Sequence, residues 1–358
     1  MQPKLELRDI AVVRAGSVVL DLDLLAVERG EVLAVVGPNG AGKTTLLQVA
    51  ALLLAPTRGQ VLIDGVAARP GDLALRRRVA VAMQDAMLVA GTVADNVALG
   101  LKLRGLPKAA REARARAWLR RFAIEELAGR RASRISGGEA QRASLARAFA
   151  IEPEVLFLDE PFGGLDEPTR LRLVDDLAAV VRETGVTTVF VTHDRDEALH
   201  LADRVAVILG GRLRQHGTPQ EVFGAPVDEE VAAFIGVENI LTGRLRSVEA
   251  GLAIVDVAGR TLAGVAPPDL TESVRVCLRP EAVTLQRGEG IAGGSARNAL
   301  AGTVSQVRPR GAEARVVVDC GFPLVVLVTR LSAEDMGLAP GVPVVATFKA
   351  TAVHLLPD

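Results

Sequence analysis

The sequence predicts a parallel α/β domain followed by a small all-β module. Across residues 5–234, continuous apolar runs such as Val32–Val36 and Val155–Leu158 alternate with longer helical patterns. Runs without polar alternation are typical of strands in a sheet that helices cover on both faces. From about Glu238 the helical patterns end, and short Val-rich runs separated by Gly and Pro follow. This second pattern indicates strands alone.

The overall composition excludes some classes of function. The 358 residues suffice for about two domains, and 49% of them are hydrophobic. Because the formal net charge is −1 and the basic residues are scattered, we predict no nucleic-acid partner. No apolar run approaches the roughly 18–20 residues that cross a bilayer, so we expect a partner to make any connection with a membrane. Cys277 and Cys320 lie in apolar runs, and we expect buried core residues rather than metal ligands or a disulfide.

The predicted all-β module contains an internal repeat. Two pairs of segments echo each other, namely 238–248 with 297–307 and 276–285 with 346–355. Two copies of one β unit, about 238–286 and 295–356, joined by the Gly-rich linker Arg287–Gly294, explain this pattern. We therefore place an α/β domain at 1–236 and the β module at 237–358. The sequence leaves open whether the repeats form one compact domain or exchange strands between subunits.

A glycine-rich segment follows the first apolar run. Gly37-Pro38-Asn39-Gly40-Ala41-Gly42-Lys43-Thr44 fits a phosphate-binding loop between a strand and an apolar helix. Glycines allow successive backbone N–H groups to point at phosphate oxygens, and the helix N-terminus adds partial positive charge. Lys43 is expected to reach the β- and γ-phosphates, and the Thr44 hydroxyl to bind Mg²⁺. The candidate nucleotide-binding residues are Gly37, Asn39, Gly40, Gly42, Lys43, Thr44 and Thr45.

A second nucleotide element is the apolar run that ends in Asp159 and Glu160. Two acids at the end of a buried strand are costly unless a cation or a reacting water compensates them. We therefore expect Asp159 to hold Mg²⁺, directly or through water. Glu160 is the candidate that polarises the attacking water.

Further motifs narrow the class of nucleotide hydrolase. The segment Ile135–Arg142, which reads Ile-Ser-Gly-Gly-Glu-Ala-Gln-Arg, resembles the signature motif of the ABC ATPases. Gln84 resembles their Q-loop, Gly164–Asp166 their D-loop and His193 their switch histidine. All lie in the order typical of that family, and the resemblance covers about residues 4–235. It implies an α/β P-loop NTPase fold for the first domain.

The resemblance also implies a mechanism. Proteins of this family bind ATP and Mg²⁺, hydrolyse the ATP and drive a membrane transporter. Two ATPase domains face each other head to tail, so the phosphate loop of one would meet Ser136, Gly137 and Gly138 of the other. Because this chain has one full set of motifs, we predict a homodimer. Glu160 and His193 are the implied catalytic residues.

Other roles follow from the same resemblance. Gln84 and Asp166 are implied to belong to the nucleotide site, and Gln84 also to the Mg²⁺ ligands. Closure of the dimer would be passed to integral-membrane permease subunits through the surface beside Gln84, including Met87 and Leu88. The implied location is peripheral, on the cytoplasmic face of the inner membrane. An extracytoplasmic solute-binding protein is implied indirectly.

Two departures from the family pattern stand out. The signature motif has Glu139 where the family most often has Gln. The family usually stacks an aromatic ring on adenine, but this chain has Val13 and Arg14 there and no Tyr at all. We expect the guanidinium plane of Arg14 to stack on the base instead.

The β module resembles the molbindin-like (TOBE) domains of molybdate and tungstate importer ATPases, a small OB-like regulatory fold. The resemblance rests on 295–298, 348–351 and the Ser-Ala-Glu-Asp-Met-Gly-Leu stretch 332–338. A tetrahedral oxyanion is bound by hydroxyl and backbone donors with an Arg or Lys for charge. The candidate oxyanion ligands are Ser295, Arg297, Lys349 and Thr351.

Several alternatives stay open. Ala352 stands where these domains often carry a second hydroxyl residue, and the first repeat has Glu238 and Glu281 in the matching places. The module could therefore be purely structural, in an importer of sulfate, iron, sugar or polyamine. A soluble ABC ATPase of translation or DNA repair usually carries two ATPase domains, coiled-coil insertions or a basic surface, and an exporter half carries a fused membrane domain. None of these features is evident in the sequence.

Overall fold

The computed structural model describes residues 2–287 and 295–357, and the chain divides into two compact units, 1–222 and 223–358. The division between the two units therefore lies earlier in the chain than the predicted domain boundary between residues 236 and 237. One reason is visible in the second unit, where the Arg279 guanidinium donates to the Phe223 carbonyl at 2.6 Å. Most of the predicted linker Arg287–Gly294 lies outside the described residues.

The first unit contains two sheets. The six-stranded sheet has the order β10-β9-β3-β8-β7-β6, and all its pairs are parallel except β10 with β9. A four-stranded antiparallel sheet has the order β2-β1-β4-β5. The strands are β1 Leu5–Arg14, β2 Ser17–Val27, β3 Val32–Val36, β4 Arg58–Ile63, β5 Val66–Ala68, β6 Val79–Ala82, β7 Val155–Asp159, β8 Thr187–Val191, β9 Arg204–Leu209 and β10 Arg212–Gly217.

Helices pack around these sheets. Every residue of β3, β7 and β8 is buried, as expected for parallel strands with both faces covered. Within the described residues, no helix is long and apolar enough to cross a membrane. The helices of the first unit, the last of which spans the division, are α1 Lys43–Ala50, α2 Leu73–Arg76, α3 Val93–Leu103, α4 Lys108–Arg121, α5 Gly137–Ala150, α6 Glu167–Thr184, α7 Arg195–Leu201 and α8 Pro219–Gly224.

The parallel sheet positions the predicted motifs. The phosphate loop follows β3, Glu160 follows β7, His193 follows β8 and Gln84 follows β6. Because the strands are parallel, their carboxyl ends lie at one edge of the sheet. Ligands of open α/β sheets bind at this edge. Residues that are far apart in the sequence are therefore brought together there.

The second unit is built from two five-stranded sheets, β13-β12-β11-β14-β20 and β15-β19-β16-β17-β18. The last strand of each repeat joins the sheet of the other repeat, since β20 pairs with β14 and β15 pairs with β19. The two repeats thus exchange strands within one chain and share one hydrophobic core. The elements are α9 Glu229–Phe234, β11 Asn239–Glu249, β12 Leu252–Val257, β13 Arg260–Val265, β14 Ser273–Leu278, β15 Thr284–Gln286, β16 Asn298–Arg310, β17 Glu313–Asp319, β18 Pro323–Thr329, α10 Arg330–Asp335, β19 Pro343–Phe348 and β20 Val353–Pro357.

Two details of this unit bear on the sequence analysis. The pattern of Val-rich runs predicts strands alone, but α10 interrupts them, and the Thr329 hydroxyl caps it by accepting from Ser332 N. Cys277 and Cys320 are both buried, as predicted, and each carries a free thiol. Burial is the main cause that raises the pKa of the Cys277 thiol to about 12 and that of Cys320 to about 11, so both stay protonated and apolar in character.

Candidate nucleotide site

The phosphate loop requires glycine at two positions because the backbone is crowded there. Gly42 has φ of 99°, and a Cβ on it would lie 2.7 Å from the Val19 carbonyl oxygen. A Cβ on Gly37 would lie 2.2 Å from the carbonyl oxygen of Ile208. Side chains at either position would push the loop away from its neighbouring strands. The sequence thus makes a tight turn from β3 into α1.

Lys43 is held inside this loop. Its Nζ donates to the carbonyl oxygens of Gly37 at 2.8 Å and Pro38 at 3.0 Å. Burial lowers the pKa of Lys43, and the nearby carboxylates of Glu160 and Asp159 oppose that shift. An ammonium group bound only to carbonyl oxygens attracts a further negative charge. A cavity lies directly in front of it, lined by Val19, Asn39, Gly40, Gly42, Lys43, Thr44, Thr45 and Glu160.

Thr44 and Asp159 form the next part of the site. The Thr44 hydroxyl lies 3.3 Å from Oδ1 of Asp159, which is 6% exposed. Burial raises the pKa of Asp159; the hydrogen bond from Thr44 opposes the shift, and Glu160 adds to it. A hydroxyl and a carboxylate are the hard oxygen donors that Mg²⁺ prefers. The pair therefore fits this ion chemically.

Glu160 stands at a strained turn after β7. It has φ of 42°, its N–H donates to Val191 O at 3.0 Å, and its carbonyl accepts from Gly163 N at 3.0 Å. Its Oε2 lies 3.3 Å from Nδ1 of His193 and 3.5 Å from Nε2 of Gln84. A left-handed backbone at a glutamate is uncommon and is kept where the surroundings fix it. The structure therefore brings the predicted acid, histidine and glutamine together.

The signature segment begins helix α5. Ser136 is the N-cap, and its hydroxyl oxygen accepts from Glu139 N at 3.3 Å. The Glu139 carboxylate in turn accepts from Ser136 N at 2.7 Å and from the Ser136 hydroxyl at 2.9 Å. This is a complete capping box, which explains locally why Glu is accepted at this position. Gly138 is close to the D-loop, since a Cβ on it would lie 3.6 Å from Cδ2 of Leu165.

The loop after Gln84 is anchored to that same helix. Arg147 of α5 donates to the carbonyl oxygens of Ala86 at 2.9 Å and Met87 at 3.0 Å. Burial lowers the pKa of Arg147. Met87 has φ of 42° and is 69% exposed. The sequence analysis identified Met87 but missed Arg147, because no local pattern connects residues that lie 60 positions apart.

The remaining predicted nucleotide residues lie at the edges of the site. Asp166 is the N-cap of α6, and its carboxylate accepts from Thr169 N at 3.0 Å and from the Thr169 hydroxyl at 2.9 Å. Arg14 ends strand β1 and donates to Gln48 Oε1 at 3.3 Å. Both side chains are exposed.

In the second unit, Asn298 pairs with Phe348 in the β16–β19 ladder, so Arg297 and Lys349 flank the same end of that ladder. Both of these basic residues are exposed. Ser295 and Thr351 are also exposed. At the corresponding end of the first repeat, the Glu238 carboxylate accepts from Arg315 at 2.8 Å.

Comparisons with known proteins identify the family. A family model described as ABC transporter matches residues 21–163, and one described as TOBE domain matches 294–355. The molybdate/tungstate import ATP-binding protein WtpC of Pyrococcus horikoshii is 36% identical over 337 residues, which are 92% of this chain and 94% of that protein. The chain belongs to the ATP-binding subunits of ABC transporters.

Other relatives of this ABC subunit differ in what their names say they import. The sulfate/thiosulfate import ATP-binding protein CysA of Caulobacter vibrioides is 46% identical over 225 residues, 62% of this chain and 66% of that protein. A solved ATP-binding cassette in a dimeric post-hydrolysis state, bound to ADP and Pi, has a TM-score of 0.56 and 28% identity, covering 60% of this chain and 98% of that one. The predicted fold class is confirmed, and the chain is an ABC ATPase with a C-terminal TOBE domain.

Proposed function

We propose that this chain is the ATP-hydrolysing subunit of a molybdate or tungstate importer. The observation that supports the ATPase site is the group of polar side chains at one edge of the parallel sheet, where Lys43, Thr44, Asp159, Glu160 and His193 meet. The likeness that supports the cargo extends over 92% of the chain and so includes both units. The subunit would lie on the cytoplasmic face of the membrane, bound to permease subunits that a solute-binding protein supplies.

The chemistry of ATP hydrolysis assigns a role to each group. Lys43 and the backbone N–H groups of the phosphate loop bind the phosphates. Thr44, Asp159 and Gln84 would hold Mg²⁺, which would neutralise phosphate charge when bound. Glu160 accepts a hydrogen bond from the attacking water and orients it. His193 holds the Glu160 carboxylate in place.

The signature residues Ser136, Gly137 and Gly138 complete the site of a second copy. They start the 14-residue helix α5, whose first N–H groups are available to an anion, as at other helix N-termini. In a head-to-tail homodimer this end closes over the γ-phosphate bound by the partner, and the exposed Asp166 lies at the same junction. Arg14 stacks on the adenine through its guanidinium plane.

Four exposed residues of the second unit support an oxyanion as the transported solute. Arg297 and Lys349 are exposed cations at one end of a ladder, and Ser295 and Thr351 add hydroxyl donors near them. Such a set suits a tetrahedral dianion. Bound oxyanion would favour a resting dimer and reduce ATP turnover. Sulfate import is the second candidate, because the CysA relative is 46% identical over the part it matches.

Calorimetric titration of molybdate, tungstate and sulfate into the full-length chain tests the cargo. We expect binding of molybdate or tungstate that is lost in Arg297→Ala and Lys349→Ala and kept in Arg310→Ala, a control that removes an equal charge at the far end of β16. Preferential sulfate binding would favour the second candidate. No oxyanion binding would leave the module a structural role and overturn oxyanion sensing.

Glu160→Gln tests the ATPase site independently of the cargo. The amide keeps the size of the side chain but removes the charge that orients water. We expect this variant to bind ATP, to accumulate as an ATP-bound dimer in size-exclusion chromatography and to release no phosphate. Full turnover in Glu160→Gln would overturn the assignment of the catalytic acid.

A further inference from the structure

The position of His193 is fixed by the residues on either side of it, Thr192 and Asp194, rather than by packing of the imidazole itself. The His193 side chain is 62% exposed. On one side, Thr192 N donates to Val35 O at 3.1 Å, which ties the segment to the strand before the phosphate loop. The Thr192 hydroxyl also bonds to the Glu197 carboxylate. The position of the imidazole therefore depends on the conformation of the flanking backbone.

On the other side, the two oxygens of Asp194 have different partners. Oδ1 caps helix α7 by accepting from Asp196 N at 2.8 Å and Glu197 N at 3.2 Å. Oδ2 forms an ion pair with the guanidinium of Arg170. The cap is complete without Arg170, so the ion pair is not needed to start the helix. The ion pair instead connects Asp194 to helix α6, which carries Arg170.

Arg170 lies in the first turn of α6, the helix that Asp166 caps. The same Nη1 atom also lies 3.4 Å from the Glu197 carboxylate, whose side chain is 8% exposed. One guanidinium thus binds two acids that fix the neighbours of His193, because Asp194 directly follows it and Glu197 accepts from the hydroxyl of Thr192, which directly precedes it. A charged hydrogen bond in a partly buried setting is stronger and more directional than one in water.

We infer that Arg170 is a positioning residue that holds His193 in contact with Glu160 through the Asp194 and Glu197 carboxylates. The inference rests on the proposed roles of His193 and Glu160, and it adds a residue that acts through two acids rather than as a proposed nucleotide ligand. Loss of the guanidinium frees Asp194 Oδ2 and lets the histidine segment move relative to β7. A displacement of about 1 Å at a catalytic group can reduce turnover about a hundredfold without changing the groups that bind substrate.

The test is steady-state ATP hydrolysis by the full-length chain carrying Arg170→Ala, Arg170→Lys or Asp194→Asn. We expect Arg170→Ala to lower kcat at least about tenfold with KM for ATP within about twofold, because the phosphate loop is untouched. Arg170→Lys should recover part of kcat, since an ammonium can still bind one acid. Arg172→Ala, an exposed arginine of the same helix, is the matched control and should keep wild-type kcat.

A double-mutant comparison separates positioning from a general loss of stability. If Arg170 acts through His193, adding Arg170→Ala to His193→Ala causes no further loss of kcat. A further tenfold loss in that background, or an unchanged kcat in Arg170→Ala, would overturn the inference. If His193→Ala itself keeps full turnover, the proposed role of His193 fails instead. Asp194→Asn keeps the helix cap and gives the same information should Arg170→Ala fold poorly.

Discussion

Nδ1 of His193 lies 3.3 Å from Oε2 of Glu160, and the two residues come from the ends of adjacent parallel strands. The glutamate backbone is left-handed at this point and is tied to β8 through Val191 O. The contact therefore depends on the sheet rather than on any local sequence pattern. It orients the carboxylate toward the cavity in front of Lys43, which Glu160 also lines.

His193→Ala should lower kcat about a hundredfold or more and leave the affinity for ATP nearly unchanged. The reason is that His193 contacts the catalytic acid, whereas Lys43 and the loop backbone are the proposed phosphate ligands. Phosphate release gives kcat, and calorimetry with a non-hydrolysable ATP analogue gives the affinity. His200→Ala removes an exposed histidine of α7 that contacts Asp175 at 3.0 Å, and it serves as the control. Equal turnover in the two variants would contradict the role of His193.

Glu139→Gln should keep both stability and turnover, whereas Glu139→Ala should lose about 0.5–1 kcal/mol of unfolding free energy. A glutamine oxygen can still accept from Ser136 N, so the capping box survives the loss of charge. Urea unfolding followed by the fluorescence of Trp118 measures the difference. If alanine were as stable as glutamine, the capping box would not explain the residue at this position.

The sequence could predict the chemistry of the site but not its supports. Lys43, Asp159 and Glu160 lie in contiguous motifs whose order and spacing carry the information. Arg170 binds acids 24 and 27 positions away, and the fold alone brings these together. Such contacts leave no periodicity or spacing that a single sequence reveals.

The sequence could not predict which strands the two β repeats exchange, for a similar reason. The repeat shows that Asn239 and Asn298 are equivalent, but not which repeat supplies each neighbouring strand. The register of β20 on β14 and of β15 on β19 depends on the shared core. The asparagines at equivalent positions of the two repeats were the sequence feature that pointed to this exchange, because buried amides in equivalent positions indicate equivalent hydrogen bonds.

The first unit should lose stability in acid, and Glu154→Gln should reduce that loss. Lys4 is 1% exposed and donates to Asp64 at 2.8 Å and to Glu154, which Arg78 also binds. The hydrogen bond from Arg78 is the main cause that holds the pKa of Glu154 down to about 2, although burial opposes it. Burial also acts to raise the pKa of Asp64, but the hydrogen bonds from Lys4 and Arg78 outweigh it and lower that pKa.

The depressed pKa of Glu154 sets the direction of this pH dependence. A carboxyl whose folded pKa is depressed stabilises the fold above its unfolded pKa of about 4.3, and that contribution is lost as pH falls toward about 2. Unfolding free energies from urea titration between pH 6 and pH 3 should therefore fall less steeply in Glu154→Gln than in the wild type. Glu152→Gln, whose side chain is 64% exposed, is the control. Parallel slopes in all three proteins would rule out this origin of the acid sensitivity.

Asn239 and Asn298 should stabilise the second unit unequally. Asn239 of the first repeat forms two hydrogen bonds with Val325 of the second repeat. Its Nδ2 donates to Val325 O at 2.9 Å, and its Oδ1 accepts from Val325 N at 2.6 Å. Asn298 of the second repeat bonds in the same way to Ala263 of the first repeat. Its Nδ2 donates to Ala263 O at 2.9 Å, and its Oδ1 accepts from Ala263 N at 2.7 Å. Each amide thus binds a strand of the other repeat. Val325 is buried and Ala263 is only half-buried.

We expect Asn239→Ala to cost about 2–3 kcal/mol and Asn298→Ala about 1 kcal/mol, because unpaired backbone groups are more costly where water cannot reach them. Calorimetry of the full-length chain measures both units. Fluorescence follows the first unit alone, since Trp118 is the single Trp and the chain has no Tyr. The calorimetric transition of the second unit should fall in temperature while the fluorescence transition stays in place. Thr303→Ala, at an exposed position of β16, is the control, and equal shifts for the two asparagine variants would show that burial of the partner strand does not set the cost.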